Sequence, residues 1–160
     1  MSASASPLYR TAIAAAWIDF NGHLRDAYYG LILSYAADAL MDQIGMDAAY
    51  RAATHNTLYT VELHLHFLSE VHASDQVLVN AHILGVDRKR IHAGFDLHCE
   101  GRTEPAATAE FMLLHVHQGT TVSACEFAPE VAAAIERMRS QPGAASWAGP
   151  GSRRLELRGR

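Results

Sequence analysis

The chain has 160 residues, 49% of them hydrophobic, which suits a single domain with a substantial core. Its formal net charge of −4, with histidine neutral, argues against a protein that binds nucleic acid through a broadly basic surface. We expect a cytoplasmic protein without a membrane span, because no run of about 18 apolar residues occurs, residues 1–7 lack the features of a secretory signal, and the two cysteines form no disulfide or zinc motif.

The first third of the chain predicts a short strand over Leu8–Ala14 and a long helix over Ala27–Ile44, which Gly45 ends. Between them, Asp19 stands three residues before Gly22. The helix therefore starts beside a carboxylate. Its first turn has unpaired N–H groups and the positive end of the helix dipole, which can receive the oxygen of a polarised carbonyl. This arrangement suits acyl chemistry.

The next part of the chain predicts strands with two-residue alternation of apolar and polar residues. They cover Leu58–Phe67, Val77–Val86, Ile91–Cys99 and Ala106–His117. The first of them is expected to place its apolar residues on one face: Tyr59, Val61, Leu63, Leu65 and Phe67. The four can run as an antiparallel meander, and the apolar long helix needs a sheet that curls around it. This order of strands and helices predicts an α+β fold.

The last part of the chain predicts a short helix over Ala128–Arg139, with Pro129 in its first turn. Beyond it the composition is rich in Gly, Pro, Ser and Arg. We therefore expect a single domain over residues 1–140 and a flexible C-terminal tail over residues 141–160.

The segment from Asp19 to Tyr29 resembles the motif of hotdog-fold acyl-CoA thioesterases of the 4-hydroxybenzoyl-CoA thioesterase-like group. That motif has an Asp, two variable residues, Gly, commonly His, then often two asparagines and a tyrosine. Asp19, Gly22, His23 and Tyr28 or Tyr29 match it, whereas Arg25 and Asp26 replace the asparagines. Two later segments, Leu84–His92 and Ala107–His117, are most similar to the carnitine-catabolism branch, which includes betainyl-CoA thioesterases.

The resemblance implies a hotdog fold, in which a five-stranded antiparallel sheet wraps one long central helix. It implies that the thioester carbonyl lies at the N-terminus of this helix, near the backbone N–H groups of Arg25, Asp26 or Ala27. Asp19 would then act as the nucleophile or as the general base for water, and the residues leave both open. Relatives form homodimers, often paired as tetramers, with CoA at the subunit boundary.

Each candidate site residue also has a purely structural interpretation. Asp19 can be a turn or N-cap residue, and Gly22 can serve only to adopt a backbone conformation that other residues resist. His23 can be a polar group at the thioester or a packed histidine. Tyr28 and Tyr29 point in different directions, so we expect one in the core and the other along the acyl pocket.

The basic run Arg88, Lys89 and Arg90 lies in the predicted hairpin between two strands. Such a run is usually a solvated hairpin tip. The alternative is binding of the CoA phosphates, because arginine offers bidentate contacts and lysine a point charge.

Histidine pairs two residues apart raise the question of a metal site. His64 and His66, and likewise His115 and His117, share strand faces, but no motif supplies a third ligand. We therefore predict no metal and a polar outer sheet surface that is solvated or in contact with another subunit.

The prediction from sequence is an acyl-CoA thioesterase with Asp19 as its catalytic residue and no cofactor beyond the CoA of its substrate. The aromatic residues Trp17, Phe20, Tyr28, Tyr29 and Tyr35 can supply ring faces for a quaternary ammonium acyl group. Two alternatives stay open. One is a hydratase or dehydratase of acyl thioesters, and the other is a non-catalytic acyl-CoA-binding module in which Arg25 and Asp26 have abolished turnover.

Overall fold

One long helix and an antiparallel sheet make up most of the structure, a computed structural model that describes residues 6–141, 147 and 149. The helices are α1 (Asp26–Gln43), α2 (Ala48–Thr54) and α3 (Pro129–Arg139). The strands are β1 (Tyr9–Ala12), β2 (Asn56–Phe67), β3 (Gln76–Val86), β4 (Arg90–Cys99), β5 (Ala107–Gln118) and β6 (Val122–Ala124). The α+β hotdog prediction is confirmed, and α2 and β6 are additions that the sequence analysis did not predict.

The strand order is β1-β3-β4-β5-β2, with β6 paired to the end of β5. The predicted four-strand meander is therefore wrong for β2. Only β3, β4 and β5 follow one another in space, whereas β2 pairs with β5 and ends the sheet as an edge strand. Alternation of apolar and polar residues specifies the faces of a strand but not its neighbour, which explains the error.

A β-bulge in β2 also corrects the prediction that all its apolar residues share one face. The register with β5 shifts between Thr60 and Glu62, so Val61 is the extra residue. Before the bulge Tyr59 stands opposite Leu114, and after it Leu63 stands opposite the buried Phe111. Because a bulge reverses the alternation, Tyr59 lies on the opposite face from Leu63.

The hydrophobic core lies between α1 and the inner face of the sheet. Ile32, Leu33, Ala36 and Leu40 of α1 are fully buried, as is Phe95 of β4, and all belong to one cluster. Each fully buried Leu or Ile contributes about 1.5–3 kcal/mol relative to an exposed one. The core thus fixes α1, and with it the position of the helix N-terminus.

Glycine and aspartate define the turn between α1 and α2. Gly45 has φ 87°, a left-handed conformation that ends α1 where the sequence predicted. Asp47 is the N-cap of α2, and its side chain accepts a hydrogen bond from the Tyr50 N–H at 2.8 Å.

Most of the predicted C-terminal tail lies outside the described residues. Of the two tail residues beyond 141 that are described, Trp147 lies against the backbone of Gly94, so close that a Cβ at Gly94 would come within 2.9 Å of the indole ring. Among the described residues, no helix has the length and apolar character needed to cross a membrane.

Candidate active site

A tight loop holds Asp19 immediately before α1. The Asp19 N–H donates to the His23 carbonyl at 2.8 Å, and the Gly22 N–H donates to the Asp19 carbonyl at 3.1 Å. Gly22 has φ 82°, and apart from its two chain neighbours no described residue has an atom within 4 Å of the Cβ that another residue would place there. Backbone conformation, rather than a close neighbour in this chain, is therefore what requires glycine at this position.

The two carboxylate oxygens of Asp19 have different surroundings. Oδ1 accepts hydrogen bonds from the N–H groups of Asn21 at 2.8 Å and His23 at 3.2 Å. Among the described residues, Oδ2 has only a long contact of 3.4 Å from the Asn21 amide nitrogen. Desolvation raises the pKa of Asp19, but the hydrogen bonds from His23 and Asn21 outweigh it and hold that pKa below its usual 3.8. Asp19 is thus ionised at neutral pH, with Oδ2 the less engaged oxygen.

Two of the three predicted backbone donors at the start of α1 already have acceptors. The Arg25 N–H donates to the Trp17 carbonyl at 2.9 Å, and the Ala27 N–H donates to the Asp26 carboxylate at 2.8 Å. Within the part of the chain that the structure describes, the Asp26 N–H has no protein acceptor. The three predicted donors therefore differ, and Asp26 has the N–H available to a substrate oxygen.

A cleft of about 510 Å³ joins the Asp19 loop to the helix start. It contains three carboxylates, from Asp19, Asp26 and Glu70. The other residues that line it are His23, Leu24, Arg25, Tyr29, Phe67, Leu68 and Ser69. Of the predicted site residues, Asp19, His23, Arg25, Asp26 and Tyr29 thus meet in one cleft, while Gly22 and Ala27 adjoin it in sequence.

The two tyrosines take different positions. Tyr29 is buried and also lines the cleft, where its ring meets Phe67 edge-on at 5.1 Å. Burial raises the pKa of Tyr29, so its phenol stays protonated. Tyr28 instead stacks on Trp17 at 5.5 Å and is not among the residues that line the cleft.

The predicted CoA-binding residues lie at the other end of the sheet. The hairpin with Arg88, Lys89 and Arg90 follows β3, whereas the Asp19 loop contacts the segment that precedes β3. The 11 residues of β3 separate them by about 33 Å at the usual rise per residue. One protomer therefore does not bring this hairpin to its own cleft.

Acidic partners already engage the two hairpin arginines. Two hydrogen bonds from the Arg90 guanidinium, together with the Lys89 and Arg90 N–H groups, lower the pKa of Asp87 to about 2. Arg88 pairs with Glu126 at 3.0 Å, but its side chain is 81% exposed. Of the two arginines, Arg88 is the more accessible to a phosphate.

Four cleft residues, the last of β2 and the three after it, were not predicted from the sequence as site residues: Phe67, Leu68, Ser69 and Glu70. They reach the Asp19 loop through a hydrogen bond from the Leu24 N–H to the Val71 carbonyl at 2.7 Å. No local spacing signals such a contact. In each histidine pair considered for a metal, one member has another polar contact: His64 contacts Glu62, and His115 contacts the Cys125 carbonyl.

Comparison with known proteins decides the family. A family model described as the thioesterase-like superfamily matches residues 13–135. The chain is also 45% identical over 130 residues to the betainyl-CoA thioesterase of Pseudomonas aeruginosa, a match that covers 81% of each protein. The chain belongs to the thioesterase-like superfamily. It is an acyl-CoA thioester hydrolase, and the expectation of hydrolysis is confirmed.

Solved structures agree with this membership. A candidate thioesterase of Pseudomonas putida KT2440 matches this thioesterase with a TM-score of 0.84 at 38% identity, covering 99% of this chain and all of the other. A Staphylococcus aureus protein solved in complex with CoA matches with a TM-score of 0.84 at 25% identity, over 98% of this chain and all of the other. The thioesterase thus shares its fold with a relative that binds CoA.

Proposed function

We propose that this thioesterase hydrolyses the CoA thioester of a small acyl group that carries a quaternary ammonium, such as betainyl-CoA. The observation that carries the proposal is the charge of the cleft, where three carboxylates outnumber the one arginine. Tyr29 and Phe67 add aromatic surface to the same cleft, which favours a desolvated cation. The name of the P. aeruginosa relative supports the same substrate class.

In the proposed reaction Asp19 provides the carboxylate. Its Oδ2 either attacks the thioester carbonyl to form a mixed anhydride, which water then hydrolyses, or removes a proton from the attacking water. Both routes need an ionised Asp19 and release CoA as the thiol. The pKa of Asp19, held below its usual value by its hydrogen bonds, supports either route.

The remaining residues of the loop and helix start orient the reactants. The Asp26 N–H, at the positive end of the α1 dipole, is the proposed donor to the oxyanion that forms on the thioester oxygen. Gly22 and His23 hold the Asp19 loop, while Arg25, Ala27 and the Trp17–Tyr28 stack hold the helix start. Tyr29 lines the acyl end of the cleft.

We propose that the enzyme is a homodimer joined through β2. This strand forms one edge of the sheet, and its side chains of Val61 and Phe67 are 55% and 53% exposed. A long apolar edge strand is a template for pairing with a second copy. A further pairing into a tetramer would use the outer sheet face, where His82–Asp96 and His92–Glu110 form contacts of 2.7 Å.

A two-fold dimer through β2 would also complete the CoA site. Antiparallel pairing of two β2 edges puts the Phe67 end of one strand beside the Asn56 end of its partner. The Asn56 end lies on the same side of the sheet as the basic hairpin, because the His115 N–H donates to the Lys89 carbonyl and His117 pairs with Asn56. The partner's hairpin would therefore stand at the end of the dimer where the Asp19 cleft opens.

We further propose a cytoplasmic enzyme that uses no redox cofactor or metal in hydrolysis, because the carboxylate and the helix N–H supply both catalytic functions. Cys99 and Cys125 are free thiols, which suits a reducing compartment. Coenzyme A enters as part of the substrate.

A matched pair of substrates tests the proposed acyl group. Betainyl-CoA and 3,3-dimethylbutyryl-CoA have the same shape, but only the first carries a positive charge. We expect thiol release to show a kcat/KM at least about tenfold higher for betainyl-CoA, and a smaller ratio in Asp26→Asn. Equal values for the two substrates would refute a site built for a cation.

The hairpin is tested separately with Arg88→Ala. Its KM for acyl-CoA should rise several-fold, while its KM for the corresponding pantetheine thioester, which lacks the nucleotide, should not change. Glu126→Gln frees Arg88 from its acidic partner and is expected to lower the KM for acyl-CoA only. The same change toward both thioesters would count against phosphate binding.

A further inference from the structure

Two histidines and a glutamate converge beside the Asp19 loop. His23 Nε2 lies 3.2 Å from Glu70 Oε2, and the His23 and His72 rings meet edge-on at 4.9 Å. The ligand-capable atoms of the three side chains all lie within 4.8 Å of one another. Backbone contacts fix this arrangement, because His23 and His72 form a β-bridge and the Leu24 N–H donates to the Val71 carbonyl.

Two imidazoles and one carboxylate are a ligand set that zinc accepts in sites with an open fourth position. Nitrogen and oxygen ligands lie about 2.0–2.2 Å from zinc, so tetrahedral ligands stand about 3.4 Å apart. The distance of 3.2 Å between His23 Nε2 and Glu70 Oε2 is already close to this value. The other distances between the ligand atoms are at most 4.8 Å. Small side-chain rotations would shorten them to about 3.4 Å.

The chain offers an internal comparison for this cluster. Its ten histidines include His64, which contacts Glu62 at 2.7 Å, much as His23 contacts Glu70. A third ligand sets the His23 cluster apart, and among the described residues only this group of three or more His, Cys, Asp or Glu side chains has the spacing of a metal site. As an ion pair alone, His23–Glu70 would add little stability, because the Glu70 side chain is 66% exposed.

We propose that His23, Glu70 and His72 bind one divalent transition-metal ion, with zinc preferred. The ion would tie the Asp19 loop to the segment that follows β2. His23 both donates to Asp19 Oδ1 and accepts from the Asp19 N–H, so the tie would restrict the loop that positions the carboxylate. Asp19 is not itself a ligand, so the metal site stands whether or not Asp19 is catalytic.

The sequence does not point to this site, because its ligands lie far apart along the chain. His72 follows Glu70 by two residues, but His23 belongs to another segment. The ion would not take part in the proposed hydrolysis, and its main effect would be on the stability of the loop. With the ion bound, Glu70 no longer adds to the negative charge of the cleft, so Asp19 and Asp26 are the carboxylates that remain to face a cationic acyl group.

The test uses tag-free protein that has been stripped with a chelator and titrated with zinc sulfate alone. Calorimetry should give one zinc per chain, and Co²⁺ in place of zinc should give a visible absorption spectrum that reports coordination. Glu70→Gln and His72→Ala should each weaken binding by about 100-fold or more, since even indirect partners of a metal cost 10–100-fold. His64→Ala, the matched control, should bind as tightly as the wild type.

Zinc should also raise the thermal midpoint of the wild type and of His64→Ala, but not that of Glu70→Gln. Glu70→Gln keeps its shape at an exposed position, so it remains informative if His72→Ala does not fold. Unchanged zinc affinity in Glu70→Gln, or equal loss in His64→Ala, would overturn the proposal. Zinc binding is measured without substrate, so its loss in Glu70→Gln supports the metal site whatever result the tests of hydrolysis give.

Discussion

Replacing Asp19 by asparagine removes one particular oxygen from the cleft. Oδ1 accepts two backbone N–H groups, so an asparagine that keeps both bonds must place its carbonyl oxygen there. Its NH₂ group then occupies the position of Oδ2, the oxygen proposed to react. The variant should keep the loop conformation and lose the nucleophile or base, which lowers kcat by about 10²–10⁴-fold with little change in KM.

Thiol release with saturating acyl-CoA measures this loss, and a thermal melt confirms that the variant is folded. Asp47→Asn is the matched control, because Asp47 also caps a backbone N–H but lies at the start of α2, away from the cleft. It should retain wild-type kcat. An Asp19→Asn variant whose kcat stays within about threefold of the wild type would refute the assignment of Asp19. In the wild type, the acid limb that Asp19 causes should lie below pH 3.8.

Three further predictions concern stability and assembly. Gly22→Ala should lower the free energy of unfolding by about 1–2 kcal/mol in a urea titration, because φ at this position is 82°; no change would mean that the loop adapts. Burial lowers the pKa of His115 below 6.5, so the unfolded chain binds the proton more readily than the folded protein. The free energy of unfolding therefore decreases as the pH drops below that value. From about pH 7.5 to about pH 5.5, the free energy of unfolding of His115→Gln should therefore decrease less than that of the wild type. An equal decrease in both proteins would contradict this. Leu63→Lys, on the exposed edge strand β2, should give a monomer in light scattering. The control Val122→Lys, at a similarly exposed position on β6, should stay dimeric. Dimers in both variants would exclude the β2 interface.

The parts of the fold that depend on local sequence were predictable. Both ends of α1 lie within one residue of the prediction, because Gly45 and the apolar spacing act over a single turn. The partner of β2 was not predictable, since the same alternation is compatible with β3 or β5 as its neighbour. The bulge at Val61 was also hidden, because one extra residue reverses the alternation without leaving a compositional trace.

The candidate site divides in the same way. Asp19, Gly22 and the start of α1 lie within eight residues of one another in the sequence, so their proximity follows from the chain itself. Glu70 and His72 join them only through the Leu24–Val71 hydrogen bond and the His23–His72 bridge, which are tertiary contacts. The basic hairpin is the opposite case. Its residues are easy to recognise in the sequence, but β3 places them at the end of the sheet far from the Asp19 loop.

The separation of the Asp19 cleft from the hairpin has a genetic consequence. If each working site draws its carboxylate from one polypeptide and its phosphate-binding residues from another, two defective alleles can restore one another. A hybrid of an Asp19→Asn chain with an Arg88→Ala chain would contain one doubly impaired site and one fully native site. Mutations at these two places would then complement in a cell that carries both, although each is harmful alone.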